Sequence, residues 1–277
     1  MPEAPVYVVP GRRRRRIPPL RKGVYILPNL FTTGGLFAGF YAIIATFNHD
    51  YRTAAIMILV AQLCDVLDGR IARLARATSS FGIQYDSLSD LIAFGVAPGI
   101  LVYQWALRPW GRWGWLAATL YVTAGALRLA RFNVQIASVE KRYFVGLPIP
   151  AAADVVAATV LLYYYVGGEG ATNKHVMMPL VVFAVAGLMV SEIRYYSFKD
   201  IRFHHRHPFP VLLGLIGLIV LAIGEPQVVL FLGAMGYALS GPVSVVVRRL
   251  AGRRPPPEGA ETPPVRAVTL DKPGPHR

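Results

Sequence analysis

Cysteine is nearly absent from this chain: Cys64 is the only one in 277 residues. An intrachain disulfide, a thiolate zinc site and an iron–sulfur cluster are therefore excluded. Charge is scarce as well. Charged side chains make up 16% of the sequence, against about 25% in soluble domains. Alternation of apolar and polar residues is missing, which disfavours a β-barrel. No internal repeat is visible. No short apolar segment with a cleavage site follows the basic N-terminus, so it does not read as a signal peptide. What fills the chain instead is apolar: 54% of residues are hydrophobic and the net charge is +14, with a mean hydropathy of +0.44. This composition excludes a disordered chain, disfavours a water-soluble enzyme, and fits a polytopic membrane protein with basic cytosolic loops.

Eight apolar stretches follow one another: Leu27–Phe47, Thr53–Ile71, Ile83–Leu107, Trp113–Leu129, Leu147–Val166, Val176–Ser191, Phe209–Gly224 and Gln227–Val247. Crossing the hydrocarbon core takes about 20 apolar residues in a helix, and helices satisfy their backbone internally in lipid. The sixth and seventh stretches are short. All of the 29 Lys and Arg except Arg52, Arg108, Arg112 and Lys174 fall on the side that holds both termini and the even-numbered turns of the chain. The positive-inside rule places that side in the cytosol. Trp105, Trp110, Trp113 and Trp115 cluster around the third connection, as an interfacial aromatic belt would. The expected organisation is a basic cytosolic tail over 1–24, a transmembrane domain over 25–250, and a Pro-rich cytosolic tail over 251–277. The Arg12–Arg16 run reads as a topology signal on a solvated tail, with attraction to anionic lipid as the alternative.

The informative residues are acids in or beside apolar spans. An Asp at a span centre costs roughly 2.5–3.5 kcal/mol, so four of them need a reason. Asp65 and Asp68 are three residues apart near the cytosolic end of the second span. Asp86 and Asp90 are four apart at the same end of the third. Each pair shares a helix face, and a short connection makes the two helices antiparallel neighbours. The four carboxylates then converge, and they repel unless protonated or bridged by cations. With only oxygen donors on offer, hard cations such as Mg²⁺, Mn²⁺ or Ca²⁺ fit. Gly69, Ala72 and Gly82 allow close approach, Arg73 suits a phosphate, and Ser79 can donate a hydrogen bond.

The pattern Asp65-x-x-Asp68-Gly69-x-x-Ala72-Arg73, eight residues, Gly82, three residues, Asp86, three residues, Asp90 resembles in full the signature of the CDP-alcohol phosphatidyltransferases. Leu27-Pro28-Asn29-Leu30-Phe31-Thr32, Arg128-Leu-Ala-Arg131-Phe-Asn133, Gly146-Leu-Pro148-Ile-Pro150 and Arg194-Tyr195-Tyr196-Ser197-Phe198-Lys199 are similar to the phosphatidylserine synthase branch. The likeness covers about residues 25–200. One departure is Gly35, where relatives often carry Asn.

The resemblance implies an all-α polytopic helix bundle of about eight transmembrane helices with a six-helix family core. It implies transfer of a phosphatidyl group from CDP-diacylglycerol to L-serine, with Mg²⁺ or Mn²⁺ as cofactor and two ions bound. Asp65, Asp68 and Asp86 would be metal ligands. Asp90 would be the general base and also touch metal. Gly69, Arg73 and Ser79 would contact CDP-diacylglycerol. Asn29 and Thr32 admit two readings, the nucleotide pocket or capping after Pro28. Arg128, Arg131 and Asn133 would bind the acceptor, with positive-inside charge as the plainer account of the arginines. The expected partners are the two substrates and membrane lipids, without nucleic acid, and the family commonly forms homodimers. The expected location is the cytoplasmic membrane, with the site facing the cytosol.

Other residues leave alternatives open. Asp154, inside the fifth span, reaches the acceptor ammonium or pairs structurally. Glu192 and Arg194 fit a plain interfacial pair. His204, His205 and His207 fit a solvated loop better than a metal site. Gly95, Pro98 and Gly99 predict a bend in the third span. The nearest rival is a transferase of the same kind acting on inositol phosphate or glycerol phosphate. The rival of another class is a cation or lipid transporter, against which stand the one-sided acids and the missing repeat.

Overall fold

A computed structural model of the protein describes residues 26–74, 79–135, 143–171, 177–196 and 208–251. The expectations for the two tails and for His204, His205 and His207 lie outside them, Ala251 excepted. The described chain is helical throughout apart from one short ribbon. In order it forms α1 (Ile26–Phe47), α2 (Tyr51–Leu74), α3 (Ser80–Asp90), α4 (Ala97–Val102), α5 (Arg112–Gln135), β1 (Tyr143–Val145), α6 (Ile149–Tyr165), α7 (Met177–Val190), β2 (Arg194–Tyr196), α8 (Pro208–Gly224) and α9 (Pro226–Leu250). α3 and α4 are parts of one continuous rod, so eight rods follow the eight apolar stretches.

Local sequence explains the first hairpin. Small residues Ala38, Ala42 and Ala45 of α1 are buried, as are Ala54, Ala55, Ile58 and Ala61 of α2. Their spacing puts each set on one helix face, and small side chains let the backbones close up. His49 ends α1 in the left-handed region at φ 62°, and the Asp50 N–H reaches back to Ala45 O at 2.9 Å, as in a Schellman stop. Asp50 then caps α2, its Oδ1 accepting from the Thr53 N–H at 3.0 Å.

The third rod is wound differently. Wide turns occupy Leu91–Val96 and Tyr103–Leu107, with the Ala97 N–H bonded to Ile92 O and the Arg108 N–H to Tyr103 O, five residues back. Pro98 has no N–H to give the Phe94 carbonyl. The buried Tyr121 hydroxyl of α5 donates to it instead, at 3.1 Å. Where Gly95, Pro98 and Gly99 led to the expectation of a bend, the rod contains π-type turns. α1 packs beside the first of them: a Cβ on Gly39 would stand 2.7 Å from Ala93 Cα.

A second ribbon-and-proline arrangement closes the bundle. β1 and β2 pair antiparallel, Val145 opposite Arg194, an element the sequence pattern did not announce because each strand has three residues. Gly146 follows at φ 80°, and its N–H donates to Ile193 O at 2.9 Å. Pro242 leaves Ala238 O without a helical donor, and the buried Tyr195 hydroxyl supplies one at 3.0 Å. α9 packs on α6, and α8 on α9.

Among the described residues, three helical stretches are long and apolar enough to cross a membrane: Asn29–Phe47, Phe81–Trp110 and Pro226–Val247. Ile149–Tyr165, Met177–Val190 and Leu212–Gly224 are shorter apolar helices. The aromatic belt is only partly where the sequence put it. Trp113 and Trp115 are exposed, but Trp105 is buried in the core and meets the Tyr163 ring edge-on.

Candidate active site

The carboxylates meet at one end of the bundle. α2 carries Asp65 and Asp68 on one face, and α3 brings Asp86 and Asp90 towards them. α1 packs along both helices, and α2 also meets the continuation of the α3 rod over Leu91–Val102. Asp65, Asp68 and Asp86 each offer an oxygen, all within 4.8 Å of one another. Hard cations hold oxygens at about 2.0–2.6 Å, so ligands on opposite sides of one ion stand about 4–5 Å apart. The trio spans that distance and offers only oxygen donors, so it fits a divalent ion. Asp90 lines the same cavity but stands outside the trio.

α1 holds one of these ligands in place. The Thr32 hydroxyl donates to Asp68 Oδ2 at 2.8 Å, and Thr32 O accepts from the Ser89 hydroxyl at 3.1 Å. Thr32 and Asp68 are both buried. The capping alternative for Asn29 and Thr32 fails, because α1 starts at Ile26 and both lie inside it. The Thr33 hydroxyl donates to Asn29 O at 2.7 Å and bonds the Tyr85 hydroxyl at 2.9 Å.

Beside the trio opens a cavity of about 200 Å³. Asn29, Thr32, Gly69, Arg73 and Ser79 all line it, and Asp68 and Asp86 form its boundary with the trio. Ser79 caps α3, its Oγ accepting from the Gly82 N–H at 2.9 Å. A Cβ on Gly82 would crowd Ser79 Oγ at 3.1 Å and approach Asn29 Oδ1 at 3.5 Å. A Cβ on Gly69 would meet the Arg73 guanidinium at 3.6 Å. The glycines of the signature keep this wall thin.

The three acceptor candidates on α5 separate. Arg128 is 9% exposed, and its guanidinium lies 5.5 Å from the Phe132 ring and within electrostatic reach of Asp90. Its Nε is buried without an acceptor among the described residues. Arg131 turns outward to Glu192, 3.8 Å away, so Glu192 pairs across the bundle and Arg131 is not brought to the carboxylates. Asn133 joins α5 to α3, its Nδ2 donating to Ser87 Oγ at 3.0 Å. Asp154 pairs with Gln62, whose Nε2 donates to Asp154 Oδ2 at 2.9 Å. Sequence reasoning missed Gln62 and the Ser89–Thr32 link. The only signal for Gln62 was a polar residue deep in an apolar run.

Comparison with known proteins agrees with this geometry. Residues 25–190 match the family described as CDP-alcohol phosphatidyltransferase. The chain is 41% identical over 184 residues to a CDP-diacylglycerol–serine O-phosphatidyltransferase of Helicobacter pylori, covering 65% of this chain and 76% of that protein. It is 30% identical over 242 residues to the Mycobacterium tuberculosis protein of the same name, covering 85% and 84%. An archaetidylserine synthase of Methanothermobacter thermautotrophicus is 36% identical over 171 residues, covering 61% and 69%. With the eight positions of the signature divided between two adjoining pockets that share Asp68 and Asp86, and a family match over residues 25–190, the chain belongs to the CDP-alcohol phosphatidyltransferase family.

Proposed function

We infer that this protein transfers the phosphatidyl group of CDP-diacylglycerol to the hydroxyl of L-serine, giving phosphatidylserine and CMP. The observation that carries this reading is the carboxylate trio beside a cavity lined by every residue expected to touch the donor, with the buried Arg128 within electrostatic reach of Asp90. Relatives at 30–41% identity named for the same reaction support it.

Asp65, Asp68 and Asp86 would hold Mg²⁺ or Mn²⁺, as two ions with Asp90 touching one. Bound there, the ions neutralise the diphosphate and stabilise the leaving nucleotide. Arg73 and Ser79, with Gly69 and Gly82 leaving room, hold the diphosphate, and Asn29 faces the nucleotide. Asp90 accepts the proton of the serine hydroxyl as its oxygen bonds to phosphorus and the bond from phosphorus to CMP breaks. Arg128 binds the serine carboxylate through charge-assisted hydrogen bonds, with Asn133 fixing the helix that carries it. The lipid chains stay in the bilayer while serine enters from the cytosol.

The test is CMP release by purified protein in lipid micelles with CDP-diacylglycerol and Mg²⁺ or Mn²⁺. L-serine, inositol phosphate and glycerol 3-phosphate are offered separately. Serine-dependent release is expected. Release with another acceptor alone replaces the substrate and keeps the mechanism. No release from folded protein with any acceptor returns the transporter reading.

A further inference from the structure

Two buried oxygens near the carboxylate cluster have no donor among the described residues. Gln62 precedes Asp65 by three residues on α2, so it shares that face about 4.5 Å deeper in the bundle. Its Nε2 is committed to Asp154 Oδ2 of α6 at 2.9 Å. The other two oxygens of the pair, Gln62 Oε1 and Asp154 Oδ1, are buried and find no donor among the described residues. Tyr121 lies within electrostatic reach of Asp154, but its hydroxyl is given to Phe94 O. Phe94 lines the cavity that holds Asp65 and Asp90, so the pair sits beside that cavity's inner wall.

Orphaned acceptors in a low-dielectric interior are costly, and a native structure fills them. The chemistry of the pair limits what could fill it. It offers two acceptor oxygens, one of them on a carboxyl group. A divalent ion needs about six oxygens. A primary ammonium carries a positive charge and three N–H donors, enough to satisfy both oxygens and keep one donor for the cavity.

We propose that Asp154 and Gln62 receive the ammonium group of the acceptor. This rests on the serine reading and deepens it. Arg128 takes the carboxylate, Asp90 the hydroxyl, and the Asp154–Gln62 pair the ammonium. Serine carries these groups on adjacent carbons, so recognition points about one helical turn apart can hold all three. Three fixed points around one centre also discriminate L-serine from D-serine.

The experiment measures CMP release by the full-length protein in lipid micelles, with 3-hydroxypropionate, which is serine without its amine, as competitor. Asp154→Asn keeps the shape and removes the charge. It is expected to raise the serine KM about 10-fold or more while the KM for CDP-diacylglycerol stays within about 2-fold. Inhibition by 3-hydroxypropionate should not change, and the preference for L- over D-serine should shrink. Gln62→Ala, which leaves the carboxylate but frees it to turn, should raise the serine KM less. If Asp154→Asn does not survive extraction, Gln62→Ala carries the same comparisons. An unchanged serine KM overturns the proposal. So does equal weakening of serine and 3-hydroxypropionate, which makes the pair structural. Wild-type release with inositol phosphate or glycerol 3-phosphate but not serine is a different failure: it removes the substrate reading itself.

Discussion

Asp90 and Asp68 show how neighbours divide the work of like residues. Asp68 accepts the Thr32 hydroxyl at 2.8 Å and belongs to the trio, whereas Asp90 stands apart from it with Arg128 in reach. Two predictions follow from that difference. Asp90→Asn removes the proton acceptor and leaves the trio, so turnover should fall by about 10²–10⁴ while CDP-diacylglycerol still binds. Unchanged turnover ends the base assignment. Thr32→Val removes the hydroxyl that donates to Asp68. Such supporting partners are worth about 10–100-fold in metal affinity, so the Mg²⁺ concentration for half-maximal CMP release should rise by about 10-fold with kcat at saturating metal nearly kept. The aspartates, Gly69, Arg73, Ser79 and Gly82 were legible in the sequence because their spacing is local to two helix ends. Gln62 was not, since its partner lies 92 residues away and one glutamine in an apolar run carries no periodic signal. Arg128 and Arg131 were legible as a pair but not in their division. They are three residues apart, yet one turns under Phe132 towards Asp90 and the other outward to Glu192.

At two prolines inside the rods, the carbonyl that loses its helical donor takes a tyrosine hydroxyl from another element. Pro98 frees Phe94 O for Tyr121, and Pro242 frees Ala238 O for Tyr195. In lipid a freed carbonyl has no water to turn to. Tyr121→Phe and Tyr195→Phe should therefore each cost about 1–3 kcal/mol, read as a lower midpoint of thermal unfolding in micelles. A midpoint like that of the wild type would mean the carbonyls find other donors. The functional consequence differs between the two sites. Pro98 lies in the rod that carries Asp86 and Asp90, and Tyr121 lies two turns from Arg128 on α5, so that hydroxyl ties the base helix to the acceptor helix. Gly39 works on the same rod from the other side. Its Cβ would fall 2.7 Å from Ala93 Cα, a backbone atom with nowhere to go. Gly39→Val should push α1 off the rod and, through Thr32, disturb Asp68. A loss of both activity and stability, about 1–3 kcal/mol for an overpacked site, is expected, and a fully active, equally stable variant would refute the wedge. Pro98, with Gly95 and Gly99, announced an irregular third rod from sequence alone, whereas Pro242 drew no expectation. The tyrosines could not be paired with them, because nothing local links Tyr121 to Phe94 across 27 residues.

At the scale of the whole molecule, the ends of the bundle differ in character. One end gathers the carboxylates, Arg73, Arg128, Arg131 and the β1–β2 ribbon. The other holds the α1–α2 turn, the exposed Trp113 and Trp115, and the cleft between His49, Arg52 and Glu169. Apolar length alone marks three helical stretches as spanning, because the acids and arginines of the site interrupt α2, and α7 has only 14 residues, about 21 Å at 1.5 Å each. The expectation of eight spans thus goes beyond these three: the site residues account for α2, while α6, α7 and α8 are simply shorter apolar helices. Loop charge was legible throughout the sequence, and the cytosolic side it proposes is the site's side. That assignment follows from where Lys and Arg concentrate, and it is also what the chemistry needs, since serine and CMP are water-borne. The single cysteine makes it testable. In a Cys64→Ser background, Asn48→Cys and Ala251→Cys place one thiol at each end. A membrane-impermeant maleimide applied to intact cells should label Asn48→Cys at once and Ala251→Cys only after permeabilisation. The reverse pattern would put the carboxylates on the far side of the membrane from their substrate, and the positive-inside argument and the serine reading would then contradict each other.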